Sequence, residues 1–192
     1  MRRPSRTTLL TSLFIVLWGA AMAGAYWWYQ LQYVRAFSPQ ATVFTGDGLR
    51  LPANLAGPGP IRIVHFWDPA CPCNVGNQQH LAELLAHFGP LGVRFYAVQK
   101  PASQGHLPPA LAGLESLPGL PGSDQLPASP AVAIWDQQGN LAYFGPYSEG
   151  VTCNASNSFI EPILAALLDG RPVTTTQTLA VGCFCDWQQP RL

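Results

Sequence analysis

The stretch Ile61-Arg62-Ile63-Val64-His65-Phe66-Trp67-Asp68-Pro69-Ala70-Cys71-Pro72-Cys73-Asn74 decides how this chain is read. Its first seven residues are mostly apolar, as expected for a strand covered on both faces. Two cysteines separated by one proline follow at once, and a helical pattern follows them. Leu81, Leu84, Leu85 and Phe88 fall at i, i+3, i+4 and i+7, and Gly89-Pro90 stops the helix. A thiol at such a strand-to-helix turn lies at a helix N-terminus, where peptide dipoles and free N–H groups favour an anion. That lowers its pKa and makes it reactive. The pattern points to redox or metal chemistry.

Downstream, residues 92–99 read as the next strand, whose parallel pairing with the first completes a right-handed βαβ unit. Ala131–Trp135 and Leu141–Phe144 read as two strands turned by Asp136-Gln137-Gln138-Gly139-Asn140. Ser158–Asp169 reads as a helix with a Ser158/Glu161 capping box, ended by Gly170. The Pro- and Gly-rich stretch 101–130 has at most a helical turn around 109–116. Upstream, Thr42–Phe44 and Leu49–Leu51 read as a short hairpin turned by Gly46-Asp47-Gly48. The chain divides into an anchor (1–29), a linker (30–40), an α/β domain (41–170) and a tail (171–192).

The anchor sets the compartment. Arg2, Arg3 and Arg6 precede a charge-free run from Leu9 to Trp28, about 20 residues and enough to span a bilayer. Tyr26-Trp27-Trp28-Tyr29 then fits the aromatic belt of a membrane interface. The arginines should stay cytoplasmic, which places the rest of the chain outside. A cleaved signal peptide with an Ala21-Met22-Ala23 site is the competing reading. Formal net charge is zero and charged residues make up 10% of the chain, so nothing favours nucleic acid. An oxidising compartment leaves cysteines bridged, metal-bound or kept reduced by a dedicated donor.

The residues Val64-His65-Phe66-Trp67-x-x-x-Cys71-Pro72 resemble the active-site approach of the thioredoxin-like thiol–disulfide oxidoreductases. Ser129-Pro130, just before a strand, is similar to the cis-proline segment of that superfamily. The chain as a whole resembles membrane-anchored bacterial members with Cys-Pro-Cys and a C-terminal Gly-Cys-Phe-Cys. The resemblance implies a thioredoxin-like mixed sheet flanked by helices behind one transmembrane helix. It also implies an inner-membrane, single-pass protein with its domain in the periplasm. Its partners would be cysteine-containing extracytoplasmic proteins and a membrane electron donor or acceptor. Cys71 would attack a substrate disulfide and Cys73 would resolve it, with no cofactor. Trp67, Ser129 and Pro130 would shape the substrate groove, the backbone there pairing with substrate as an added strand.

Three departures mark this chain. The position three after Cys71 is Asn74, so the second thiol has moved to Cys73, and a bridge across one residue closes a tighter, more reducible ring. His65 stands where that family buries an acid; it titrates near neutral pH and so suits proton transfer, or else it is a core histidine satisfied by backbone. Cys153, Cys183 and Cys185 are extra. Cys183 and Cys185 repeat the Cys-x-Cys spacing and read as a second redox pair, a structural disulfide with Cys153, or half of a four-thiolate Cu(I) or Zn site with Cys71 and Cys73. His80 and His87 share a helix face beside polar Gln78-Gln79 and read as solvated, and His106 sits in the Pro-rich loop with no role assigned.

Overall fold

The computed structural model describes residues 5–38, 45–150, 156–173, 175–176 and 180–188. Helix α1 spans Arg6–Tyr33, capped by the Ser5 side chain, which accepts from the Thr8 N–H. It is apolar all round and none of it is buried. Its length and composition suffice to cross a membrane. The helix does not give way to a linker at residue 30. It continues to Tyr33 and runs directly into strand β1, Val34–Ala36.

The domain is a mixed six-stranded sheet. Strand β2 (Arg62–Trp67) lies at its centre, parallel to β3 (Arg94–Gln99) and antiparallel to β6 (Ala131–Trp135). β4 (Glu115–Leu117) extends one side, parallel to β3. β7 (Leu141–Gly145) and β8 (Thr175–Thr176) extend the other. β4 lies in the stretch that composition alone could not place. Between β2 and β3 runs α2 (Asn74–Phe88), and α3 (Ile160–Leu168) follows β7. The turn between β6 and β7 needs Gly139: its φ is +86°, and a Cβ there would meet the Gly57 carbonyl oxygen at 2.7 Å.

Alternation along β2 divides the core in two. Ile63 and Trp67 face Leu81, Leu84, Ile160 and Leu164, so both α2 and α3 pack on that side. Val64 and Phe66 face the opposite side, with Phe37, Leu49, Phe184 and Trp187. That second layer is built from irregular chain and from the tail, not from a helix, among the described residues. The expected hairpin is not seen: Leu49–Leu51 is irregular, and Thr42–Phe44 lies outside the described residues.

The tail does have partner elements. Strand β9 (Val181–Cys183) pairs antiparallel with β1, and β10 (Cys185–Asp186) pairs antiparallel with β5 (Ala128–Ser129). Gly182 also bridges to Gly150 and permits that close approach, since a Cβ there would meet the Gly150 carbonyl oxygen at 2.5 Å.

The capping box also differs. Ser158 Oγ accepts from the Ile160 N–H, but Glu161 reaches across to His80 instead of back to the cap. His80 is therefore not solvated. It is buried, with Nε2 3.0 Å from Ser158 Oγ and 3.2 Å from Glu161 Oε1. His87 is exposed as expected, and His106 is exposed as well.

Candidate functional site

The loop after β2 is built by two tight turns. The Cys71 N–H donates to the Asp68 carbonyl at 2.8 Å, and the Asn74 N–H donates to the Cys71 carbonyl at 3.2 Å. Cys73 is the N-cap of α2, and Cys71 stands two residues ahead of it. Asn74, at the position where the resemblance expects a second cysteine, holds the loop together: its side-chain amide donates to the Asp68 carbonyl at 2.7 Å. Asp68 is itself buried, its carboxylate accepting from the Ala70 N–H and pairing with Lys100 Nζ at 3.3 Å.

The cysteines pair across the chain. Cys71 is bridged to Cys185 and Cys73 to Cys183, with Cα separations of 6.0 and 5.5 Å. A Cys71–Cys73 bridge is therefore not the one present. The reason is the tail, which lies over the loop and offers a sulfur to each thiol in turn. All four cysteines are buried and cluster with Tyr29 and Tyr33 of α1. The sulfurs of Cys71, Cys73 and Cys185 all lie within 4.8 Å of one another. Tyr29 Oη is 3.3 Å from Cys183 Sγ. Cys153 lies outside the described residues.

The peptide bond before Pro130 is cis, as the sequence implied. Cys71 Sγ lies 3.8 Å from the Ser129 carbonyl oxygen. Ser129, Pro130 and Trp67 are all buried around the cysteine loop. Because β10 pairs with β5, the tail occupies an edge of that short strand beside the cis-proline. Cys185 is opposite Ser129, and Asp186 is opposite Ala128. The tail is further held by Lys100 Nζ, which donates to the Asp186 carbonyl at 2.8 Å, and by an Arg35–Asp186 ion pair at 2.7 Å. Trp187 packs edge-on against Phe66 with ring centroids 6.0 Å apart. A cleft of about 470 Å³ opens alongside, lined by Trp67, Gln99, Lys100, His106 and Ser116 among others. In the cysteine loop and the first turn of α2, Pro72 and Val75 stay exposed, Val75 at 76%.

Of the two readings of His65, the structure favours the core histidine, satisfied by a tyrosine hydroxyl in place of backbone. It is fully buried, and its Nδ1 lies 2.8 Å from Tyr147 Oη. Nε2 has no hydrogen-bond partner among the described residues. Burial lowers its pKa to about 3, because no opposite charge offsets the cost of desolvating an imidazolium. Burial therefore favours the neutral ring at physiological pH.

Reading the residues one by one missed Asp68, Lys100, Tyr29, Tyr147 and Arg35. Lys100 carried a usable signal: it is the only lysine and it directly follows the strand parallel to β2, so the register Trp67↔Gln99 sets it beside Asp68.

No curated protein matches the chain in sequence. Two crystal structures share the fold. An uncharacterized conserved protein from Geobacillus kaustophilus is 20% identical, with a TM-score of 0.54 over 82% of this chain and 92% of that one. A hypothetical protein, SMc02350, from Sinorhizobium meliloti 1021 is 18% identical, with a TM-score of 0.52 over 68% and 80%. MTB dsbF in its mixed oxidized and reduced forms is 21% identical over 46% of this chain and 69% of that one, with a TM-score of 0.33. A family model described as a domain of unknown function, DUF6436, matches residues 40–187, a span that takes in both cysteine pairs and the cis-proline, and the chain belongs to that family.

Proposed function

We propose that this protein is a membrane-tethered, thioredoxin-like thiol–disulfide oxidoreductase acting on protein cysteines in the periplasm. One observation carries the reading. Cys71 lies at a helix start against the Ser129 carbonyl and cis-Pro130, bonded to a cysteine on a strand that has been added to that same edge. A sulfur bridged to an added strand is the arrangement of a mixed disulfide with substrate. Here the strand belongs to the protein itself.

Cys71 as thiolate attacks one sulfur of a substrate disulfide, and a second thiol of the cluster completes the exchange. The N-terminus of α2 stabilises the thiolate. Ser129 and Pro130 present the edge on which substrate backbone pairs, and Trp67 walls the cleft beside it. Neutral His65, tied to Tyr147, orders the sheet beneath the loop. Substrates are cysteine-containing extracytoplasmic proteins, met over the exposed surface of Pro72 and Val75. The arginines that precede the apolar helix support an orientation with the domain outside the inner membrane, where a membrane electron donor or acceptor would meet it. The test is turnover of insulin disulfides by the full chain in detergent. Cys71→Ser should reduce the rate to background, and undiminished turnover in that variant would sink the reading.

A second reading rests on the convergence of sulfurs. Once reduced, Cys71, Cys73, Cys183 and Cys185 form a buried four-thiolate set suited to Cu(I) or Zn²⁺. Anaerobic titration of the reduced protein with each ion, read by competition with a chromophoric chelator, tests it. Stoichiometric binding that is lost in Cys71→Ser/Cys185→Ser supports metal delivery. No binding removes it.

A further inference from the structure

The two disulfides are held unequally. Cys183 ends a three-residue strand locked to β1, with the next N–H, of Phe184, donating to the Tyr33 carbonyl. Upstream, the Gly150 N–H donates to the Val181 carbonyl, and Tyr29 and Tyr33 cover the sulfur. Cys185 is on a strand of two residues. Beyond its ladder with β5, that segment is held by Lys100, by Arg35 and by the packing of Trp187. Releasing β10 gives up that two-residue ladder, the Lys100 and Arg35 contacts and the Trp187 packing, and leaves the β1–β9 ladder in place. Releasing β9 undoes the junction between helix and domain.

We infer that the working redox couple is Cys71–Cys185, that Cys185 is the resolving thiol, and that Cys73–Cys183 is a staple that keeps the tail at hand. This rests on the exchange chemistry proposed above. β10 and an incoming substrate strand need the same edge, that of Ala128 and Ser129, so one excludes the other. With Cys71–Cys185 reduced, β10 peels away at Phe184 while the staple holds Cys183. The Cys71 thiolate attacks one sulfur of a substrate disulfide. The substrate S–S bond breaks, a Cys71–substrate bond forms, and one substrate thiolate leaves. β10 then returns, and the Cys185 thiolate attacks Cys71 Sγ. The Cys71–substrate bond breaks, Cys71–Cys185 re-forms, and the second substrate thiolate leaves. The substrate gains two electrons and the Cys71/Cys185 pair loses them. Because resolution rebuilds β10 on the edge, it also ejects the product. A dithiol substrate runs the same steps in reverse. Cys73, bonded to Cys183, takes no part.

The test uses the full chain in detergent, with Cys71 reduced by limiting reductant and Cys73–Cys183 verified intact by mass in the variants that carry it, mixed with one equivalent of a disulfide-linked peptide dimer. The reaction is quenched by alkylation and read by mass. Cys185→Ser should hold a Cys71–peptide adduct at least about 100-fold longer than wild type, because a tethered thiol at high effective concentration has been removed. Cys73→Ser/Cys183→Ser should accumulate no adduct. Trp187→Ala, which loosens β10, should speed adduct formation and slow its resolution, each by several-fold. A merely structural residue would not move the two in opposite directions. Mapping the wild-type bridge after one turnover guards against a misfolded variant, and Cys71–Cys185 is expected. A Cys71–Cys73 bridge, or an adduct that persists in Cys73→Ser/Cys183→Ser and clears in Cys185→Ser, overturns the inference. If Cys73→Ser/Cys183→Ser/Cys185→Ser, which keeps only the Cys71 thiol of the cluster, forms no adduct at all, the oxidoreductase reading itself falls.

Discussion

The hydroxyl of Tyr29 lies 3.3 Å from Cys183 Sγ, so a side chain of the apolar N-terminal helix touches the disulfide cluster. Tyr33, one turn on, stacks at a tilt on Tyr29 with centroids 5.0 Å apart and closes the same side. Removing the Tyr29 ring opens a path for reductant to Cys73–Cys183. Tyr29→Ala should speed reduction of that bridge about fivefold, the equivalent of one lost contact of about 1 kcal/mol. Tyr29→Phe, which keeps the cover and loses only the hydroxyl, should change it less. Alkylation timed against a small-molecule reductant measures both. Equal rates in Tyr29→Ala and wild type would remove the covering role.

The buried neutral state of His65 makes stability depend on pH. Its folded pKa is about 3 against an ordinary 6.5, so between those values the unfolded chain binds a proton that the folded chain does not. Stability from this group is complete above about pH 6.5 and is lost as pH falls toward 3, by up to about 1.4 kcal/mol per pH unit. Urea midpoints of wild type and His65→Asn at pH 7 and pH 5 isolate the effect. The wild type should lose more than the variant on acidification. Parallel losses would show that His65 charges freely.

The two bridges nearly share one loop. Each spans more than 100 residues, with sequence separations of 114 and 110. Once either is closed, the other closes only a few further residues on each side. By loop-closure entropy, losing one bridge costs about 2 kcal/mol and losing both costs about 7. Denaturation of Cys71→Ser/Cys185→Ser, Cys73→Ser/Cys183→Ser and the quadruple variant should show this strong non-additivity. Additive losses would mean that the bridges do not constrain a common loop.

Lys100 serves two groups at once, the buried Asp68 carboxylate and the Asp186 carbonyl of the tail. Lys100→Met keeps the stem and removes the charge. It should destabilise the fold by about 1–3 kcal/mol, since Asp68 stays buried beside it. It should also quicken reduction of Cys71–Cys185 over that of Cys73–Cys183. A variant as stable as wild type would show that other donors carry Asp68.

The central strand, the cysteine turn, α2 and the proline before β6 were legible because each is written in neighbouring residues. Seven residues state a strand that is covered on both faces, and Ser129-Pro130 sits where its strand begins. The pairing of the cysteines was not legible. It depends on β9 and β10, strands of three and two residues, too short for any alternation to show. His80 misled for a similar reason. Its local neighbours are glutamines, while Ser158, which satisfies it, lies 78 residues on. His65 was placed correctly on the central strand, but its neutrality follows from the enclosing core, which no local pattern reveals.

Strand β1 follows α1 without a break and is hydrogen-bonded to β9. The domain therefore has no swivel between itself and its helix. A globular head on a slack leash would sample a hemisphere and find partners at any height. With α1 in a bilayer, as proposed above, the β1–β9 ladder would hold the sulfurs at a single height and a single heading. On that membrane-tethered reading, a partner would have to bring its cysteines to that spot, so depth from the bilayer would sort partners before any side chain does.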